Sequence, residues 1–258
     1  MNEPVKMDIT EGIATVCLNR PKAFNAFNLE MISFLTERLI EIARDQTVTG
    51  VVIFGEGTVF CAGGDLKWVS SFRDYGRAFY GLAARYHQAI LEIRRMPKPV
   101  VAAVHGIAAG GGFSLALACD FRVLEASAVL RQAYTSNGLS INGGGTFTLP
   151  RLVGMAKALE IAAFDRPISA EQALSWGLVT EVVEDGQALS KAHKLIQEIK
   201  EGSLSSFAAS KGLINDSFGT SFEAQLEKER EALTLCAEHP HGREAIKAFM
   251  EKRKPVYI

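Results

Sequence analysis

The chain has 258 residues, a net charge of −1, and 48% hydrophobic against 22% charged residues. This length and balance fit one large α/β domain, or a domain with a helical appendage, and give no electrostatic reason to bind nucleic acid or an anionic membrane. Cys17, Cys61, Cys119 and Cys236 show no CxxC spacing, which argues against a metal site and for a reducing compartment. There is no apolar signal region at the start, and the apolar run around 99–104 is too short to cross a bilayer, so a cytoplasmic protein off the membrane is expected.

In chain order, 7–10 and 13–18 alternate like strands, with Glu11-Gly12 as the turn of a hairpin. Asn28 caps a helix over 29–44, with Met31, Leu35, Leu39 and Ile42 on one face. A buried strand follows at 50–55, then the glycine stretch Phe60-Cys61-Ala62-Gly63-Gly64-Asp65-Leu66-Lys67, then a helix over 72–95. The strand 100–104 leads into a second stretch, His105-Gly106-Ile107-Ala108-Ala109-Gly110-Gly111-Gly112-Phe113-Ser114. The segment 112–118 is apolar all round, which predicts a helix inside the core. Short strands are expected at 121–124 and 128–130, and a glycine turn at 142–146. Helices are expected at 156–163, 170–176, 189–201, 205–216, 222–238 and 242–252. Strands crowd the first half and helices the second, an α/β fold with a helical tail. No strong internal repeat is visible.

Both glycine stretches follow a β-branched run and open into a helix. Such junctions leave backbone N–H groups without intrahelical partners. Two of them facing one point would form an oxyanion hole. The spacing of Gly110-Gly111-Gly112 does not fit GxGxxG, and no acidic residue follows at the distance a dinucleotide site needs.

The succession Leu18-Asn19-Arg20-Pro21-Lys22-Ala23-Phe24-Asn25-Ala26, the two glycine stretches, Leu149-Pro150-Arg151-Leu152-Val153-Gly154, Ile168-Ser169-Ala170-Glu171-Gln172-Ala173 with Gly177-Leu178-Val179, and the tail 248–255 resemble the enoyl-CoA hydratase/isomerase (crotonase) superfamily in order and spacing. The resemblance implies a spiral of ββα units over 1–200 and a C-terminal helical region over 201–258 that assembles trimers, or hexamers from two trimers. It implies an acyl-CoA thioester as ligand, with coenzyme A as part of the substrate and no separate cofactor. The Gly64 and Gly111 N–H groups would be the oxyanion donors. Lys22, Phe24, Ala62, Leu66 and Lys67 would meet the coenzyme A moiety, together with Phe249 and Lys252 from a neighbouring subunit. The segment holding Phe72, Phe79 and Tyr80 would shape the acyl pocket.

One part of the family pattern is missing. Ser114 and Tyr134 stand where hydratases carry two glutamates, and Asn142 where some isomerases carry an aspartate. Three readings stay open. The first is an enzyme that stabilises an enolate by non-standard chemistry: isomerisation, C–C hydrolysis, or decarboxylation with Tyr134 as proton donor. The second is an orthodox hydratase with an acid from elsewhere, such as Asp74 or Glu92. The third is a non-catalytic acyl-CoA-binding or assembly subunit. Cys61 is expected to be a small buried thiol, His105 a local hydrogen-bonding group and Asp65 a helix cap. Asp120 is expected to pair with backbone or with Arg122.

Overall fold

The computed structural model describes residues 3–257. β1 (Val5–Thr10) and β2 (Ile13–Leu18) form the expected hairpin, with Glu11 and Gly12 both at positive φ in the turn. α1 (Leu29–Arg44) starts at Asn28, whose side chain accepts the Met31 N–H at 2.9 Å. β3 (Gly50–Gly55), α2 (Leu66–Ser70) and α3 (Tyr75–Arg95) follow. Next come β4 (Val100–Val104), β5 (Ile107–Ala109) and α4 (Gly111–Ala118), then β6 (Phe121–Glu125), β7 (Val129–Arg131) and α5 (Gly145–Phe164). The rest is β8 (Ile168–Ser169), α6 (Ala170–Ser175), β9 (Glu181–Val183), α7 (Ala188–Lys200), α8 (Leu204–Asp216), α9 (Phe222–Glu238) and α10 (Pro240–Met250).

The strands form two layers. The larger sheet has the order β1-β2-β3-β4-β6-β9 and is parallel except for the first hairpin. Its central strands alternate between two apolar faces, as strand geometry requires. Val51, Ile53, Val100, Ala102 and Val104 enter the main core under α1, α3 and α4. Val52, Val101, Ala103 and Val123 meet Ala188, Ala192 and Ile196 of α7 on the other side. Each fully buried aliphatic side chain contributes about 1.5–3 kcal/mol.

The second layer is β5-β7-β8, continued by single parallel bridges between Cys61 and Ala108 and between Phe27 and Gly64. A sheet strand, a short second-layer segment and a helix therefore recur: β2, Phe27, α1; β3, Cys61, α2–α3; β4, β5, α4; β6, β7, α5. The repeat lies in topology and not in residue identity.

Several expectations shift. The helix predicted from residue 72 begins at Tyr75, where Asp74 caps it, and the one predicted at 156–163 is the end of α5 beyond a break at Gly154 (φ 76°). β5, β8 and β9, of two or three residues each, were not expected. Asp120 accepts the Val100 N–H at 2.9 Å, but its charged partner is Lys211 at 2.7 Å and not Arg122. Arg122 instead donates to the Leu178, Cys119 and Ala116 carbonyls, closing the end of α4. Lys211 also donates to the Ile93 and Lys98 carbonyls, which pins α8 to the core. Among the described residues no helix is long and apolar enough to cross a membrane.

Candidate active site

The two glycine stretches run side by side. Phe60 N–H donates to the His105 carbonyl at 3.0 Å, Cys61 N–H to Ile107 at 3.1 Å, and Ala109 N–H back to Cys61 at 2.9 Å. The approach is tight enough to require glycine. A Cβ on Gly63 (φ 95°) would stand 2.8 Å from the Ala109 carbonyl oxygen and 2.9 Å from the Gly111 nitrogen. One on Gly112 would stand 2.2 Å from the Cys61 carbonyl oxygen. Side chains at either place would force the backbones apart.

The same packing orients two N–H groups. Phe27 N–H donates to the Gly63 carbonyl and Asp65 N–H to the Phe27 carbonyl, so Gly64 turns its own N–H away from that ladder. Gly111 opens α4, where a first-turn N–H has no intrahelical acceptor. A Cβ added to Gly64 would meet nothing within 4 Å. Gly64 and Gly111 line one cavity of about 350 Å³.

The remaining walls come from Phe27, from Phe79, Tyr80, Leu82, Ala83 and Tyr86 of α3, and from Tyr134, Leu139, Ser140 and Asn142. No carboxylate is among these lining residues. Burial pushes the Tyr134 phenol up to about 12; contacts from the Ser114 hydroxyl and the Asn142 backbone oppose the shift without cancelling it. Burial also pushes the Tyr86 phenol far above its ordinary value, and its hydroxyl donates to the Gly111 carbonyl at 2.5 Å. At neutral pH both phenols are therefore protonated donors. Ser114 is buried behind the cavity wall, near Tyr134; its hydroxyl and both polar atoms of buried Gln132 lack a partner of good hydrogen-bond geometry. Asn142 faces the cavity and is held from outside by the His87 ring nitrogen at 2.5 Å.

The enoyl-CoA hydratase/isomerase family model matches residues 8–258. The chain belongs to the enoyl-CoA hydratase/isomerase family. It is 33% identical to the 1,2-epoxyphenylacetyl-CoA isomerase of Escherichia coli (strain K12), over 100% of this chain and 99% of the relative. It is 34% identical to a probable enoyl-CoA hydratase of Bacillus subtilis (strain 168), over 98% of each chain. The crystal structure of an enoyl-CoA hydratase from Polaromonas sp. JS666 superposes with a TM-score of 0.94 at 36% identity, covering 98% of this chain and 99% of that one. The architecture is thus the crotonase fold with a C-terminal helical region.

Within this hydratase/isomerase-family chain, the residues expected to meet coenzyme A fall into two groups. Lys22, Phe24, Ala62, Leu66 and Lys67 form an exposed strip outside the glycine turns. It is stitched together by Ala62 N–H on the Phe24 carbonyl (3.0 Å) and by the Arg20–Asp65 pair (2.9 Å). Buried Asn25 fixes its base, donating to the Glu56 and Val59 carbonyls at 2.9 and 2.8 Å and accepting the Arg20 N–H. Phe249 and Lys252 lie exposed at the end of α10, and among the described residues no hydrogen bond or ion pair joins them to this strip.

Other expectations resolve clearly. The Cys61 thiol is fully buried, pushed up to about 12 by desolvation, and bonded to the Asn25 carbonyl. His105 bonds the Gly57 carbonyl at 3.1 Å, and Asp65 caps α2 through the Trp68 N–H at 2.9 Å. Asp74 caps α3 in a separate groove, and neither it nor Glu92 lines the cavity. Phe79 and Tyr80 do line it, but Phe72 packs edge-on against Trp68 outside.

Four residues of the site escaped sequence reasoning. Tyr86 left a signal, a phenol in phase with Leu82, Ala89 and Ile93 on the buried face of α3. His87, Gln132 and Asp165 left none. Asp165 accepts the Ala133 N–H at 2.5 Å and the Ser136 N–H at 3.3 Å, and so holds the loop that carries Tyr134.

Proposed function

We propose that this protein binds an acyl-CoA thioester with its carbonyl oxygen between the Gly64 and Gly111 N–H groups, and stabilises the enolate formed there. The observation that carries this reading is the single cavity joining both glycines, with protonated phenols and no carboxylate on its walls. An enolate can arise in two ways. Taking a proton from the α-carbon requires a base, and a phenol of pKa about 12 is a poor one at neutral pH. Losing another group from the α-carbon requires none.

The simplest such reaction is loss of CO2 from a malonyl-type thioester. The C–CO2 bond breaks and its electron pair moves into the thioester enolate, held by the two N–H groups. Tyr134 then gives its proton to the α-carbon and recovers one from water. The coenzyme A moiety would lie along Lys22, Phe24, Ala62, Leu66 and Lys67. Phe249 and Lys252 would complete the strip from a second copy within a homotrimer or a dimer of trimers. Exposed Leu233, Leu235, Ile246, Phe249 and Met250 on α9 and α10 support such an assembly. Four free cysteines fit a cytoplasmic setting.

Single-turnover assays on malonyl-CoA, methylmalonyl-CoA and crotonyl-CoA test the reading. CO2 release from a malonyl-type thioester is the expected result. Rapid hydration of crotonyl-CoA with no CO2 release would instead place an unrecognised base in the site. Tight coenzyme A binding without turnover of any thioester would mark a binding subunit.

A further inference from the structure

A second cavity of about 380 Å³ lies between α8, the N-terminal half of α5 and the ends of α3 and α4, away from the glycine turns. Its lining carries four cationic side chains, Arg94, Arg122, Arg151 and Lys211, against one carboxylate, Asp120. Two of the four are spoken for. Arg122 is spent on three backbone carbonyls, and Lys211 neutralises Asp120 at 2.7 Å.

Arg94 and Arg151 differ, because no carboxylate pairs with either among the described residues. Arg94 donates only to the neutral Asn215 side chain. Arg151 donates to the Phe147 carbonyl at 2.7 Å, and its guanidinium lies over the Phe147 and Phe218 rings at 3.4 and 4.4 Å. Both guanidinium-bearing residues line the same cavity. Burial lowers the Arg94 pKa, Asp120 opposes the shift, and the Arg151 charge lowers it further. Two like charges facing one apolar cavity are stabilised by an anion between them, and guanidinium forks match a carboxylate. The rest of the wall is apolar, with Leu117, Leu152, Phe207 and Ile214. The volume falls in the range of small-molecule sites, about 300–1,000 Å³.

We propose that this cavity binds a small amphiphilic carboxylate, its head between Arg94 and Arg151 and its chain on the apolar wall under α8. The site does not depend on the acyl-CoA reading. Its residues lie outside the glycine cavity, so the two ligands would bind independently.

Titration calorimetry of the full chain with sodium octanoate tests it. Saturable binding is expected, weakened about tenfold or more in Arg151→Met, which removes one charge-assisted contact at an exposed residue. Thr148→Trp, which fills the cavity from α5, is expected to abolish octanoate binding while coenzyme A binding persists. Three results would overturn the proposal: no saturable binding, equal affinity in Arg151→Met, or displacement of octanoate by coenzyme A. A fourth is that Arg151→Met dissociates an oligomer while the intact protein ignores octanoate; the cavity would then be a contact between copies.

Discussion

The cavity at the glycine turns and the cavity under α8 have similar volumes, about 350 and 380 Å³, yet their polarity comes from different sources. The first has no charged side chain on its wall; its donors are backbone N–H groups and phenols whose protons burial holds in place. The second is lined by four cations whose neutralisation is incomplete. A charge-free wall of fixed dipoles suits charge that appears during a reaction, since little has to reorganise around it. A wall of standing charge suits a ligand that arrives already charged. The first reads as a site for chemistry and the second as a site for binding.

The strongest way to break this comparison is Tyr134→Phe. If the phenol is the proton donor of the charge-free cavity, kcat should fall by about two to four powers of ten with thioester affinity little changed. Unchanged kcat in single-turnover assays would remove Tyr134 from the mechanism. On the charged side, Lys211→Ala leaves Asp120 buried without its partner and should cost about 3–5 kcal/mol in urea unfolding. Burial already raises the Asp120 pKa, so protonation relieves that cost and the variant should lose less stability at acid than at alkaline pH. An equal loss at both would mean that Asp120 does not carry it.

Gly111→Pro deletes one N–H at the first position of α4, where the φ of proline suits a helix and its Cβ, 3.2 Å from the Phe27 ring, requires that ring to shift slightly. It should lower turnover by roughly two to three powers of ten, near 3 kcal/mol, while coenzyme A binding persists. Full activity would exclude that donor. Asp165→Ala releases the Tyr134 loop and should cost about 1–3 kcal/mol, with a drop in kcat. Burial alone would raise the Asp165 pKa, but the Ser136 and Ala133 hydrogen bonds and the nearby Arg131 hold it below its ordinary value. Its folded pKa is thus the lower one. Its stabilisation is present above the ordinary carboxylate pKa and lost as pH falls through the depressed value, so the gap between variant and parent should close in acid. The smallest expected effect is a flat pH profile for kcat across roughly pH 6–9, since a phenol near 12 does not titrate there. An inflection inside that window would assign the proton to another group.

The fold was legible where periodicity is strong. The β-branched runs at 50–55 and 100–104 and the apolar stripe of α1 mark their elements directly. The strands β5, β8 and β9 are too short to show a period, and their pairing with distant segments is what makes them strands. The glycine turns were legible because close backbone approach leaves a compositional trace. The supports of the site were not. Asp165 reaches Ala133 across 32 residues and His87 reaches Asn142 across 55, and such contacts exist only once the chain is folded. The expected backbone bond of Asp120 is present, but its ion-pair partner was illegible for the same reason, the lysine lying 91 residues away on α8.

The main-chain origin of the Gly64 and Gly111 N–H groups has a consequence for how such a protein can change over generations. A phenol or a carboxyl at the cavity wall is exchanged by altering one codon. A peptide N–H aimed by the pairing of the two glycine turns survives any substitution that leaves the backbone in place, proline excepted. If the pair holds a thioester carbonyl as proposed, single substitutions alter which bond is broken more readily than which kind of carbonyl is held.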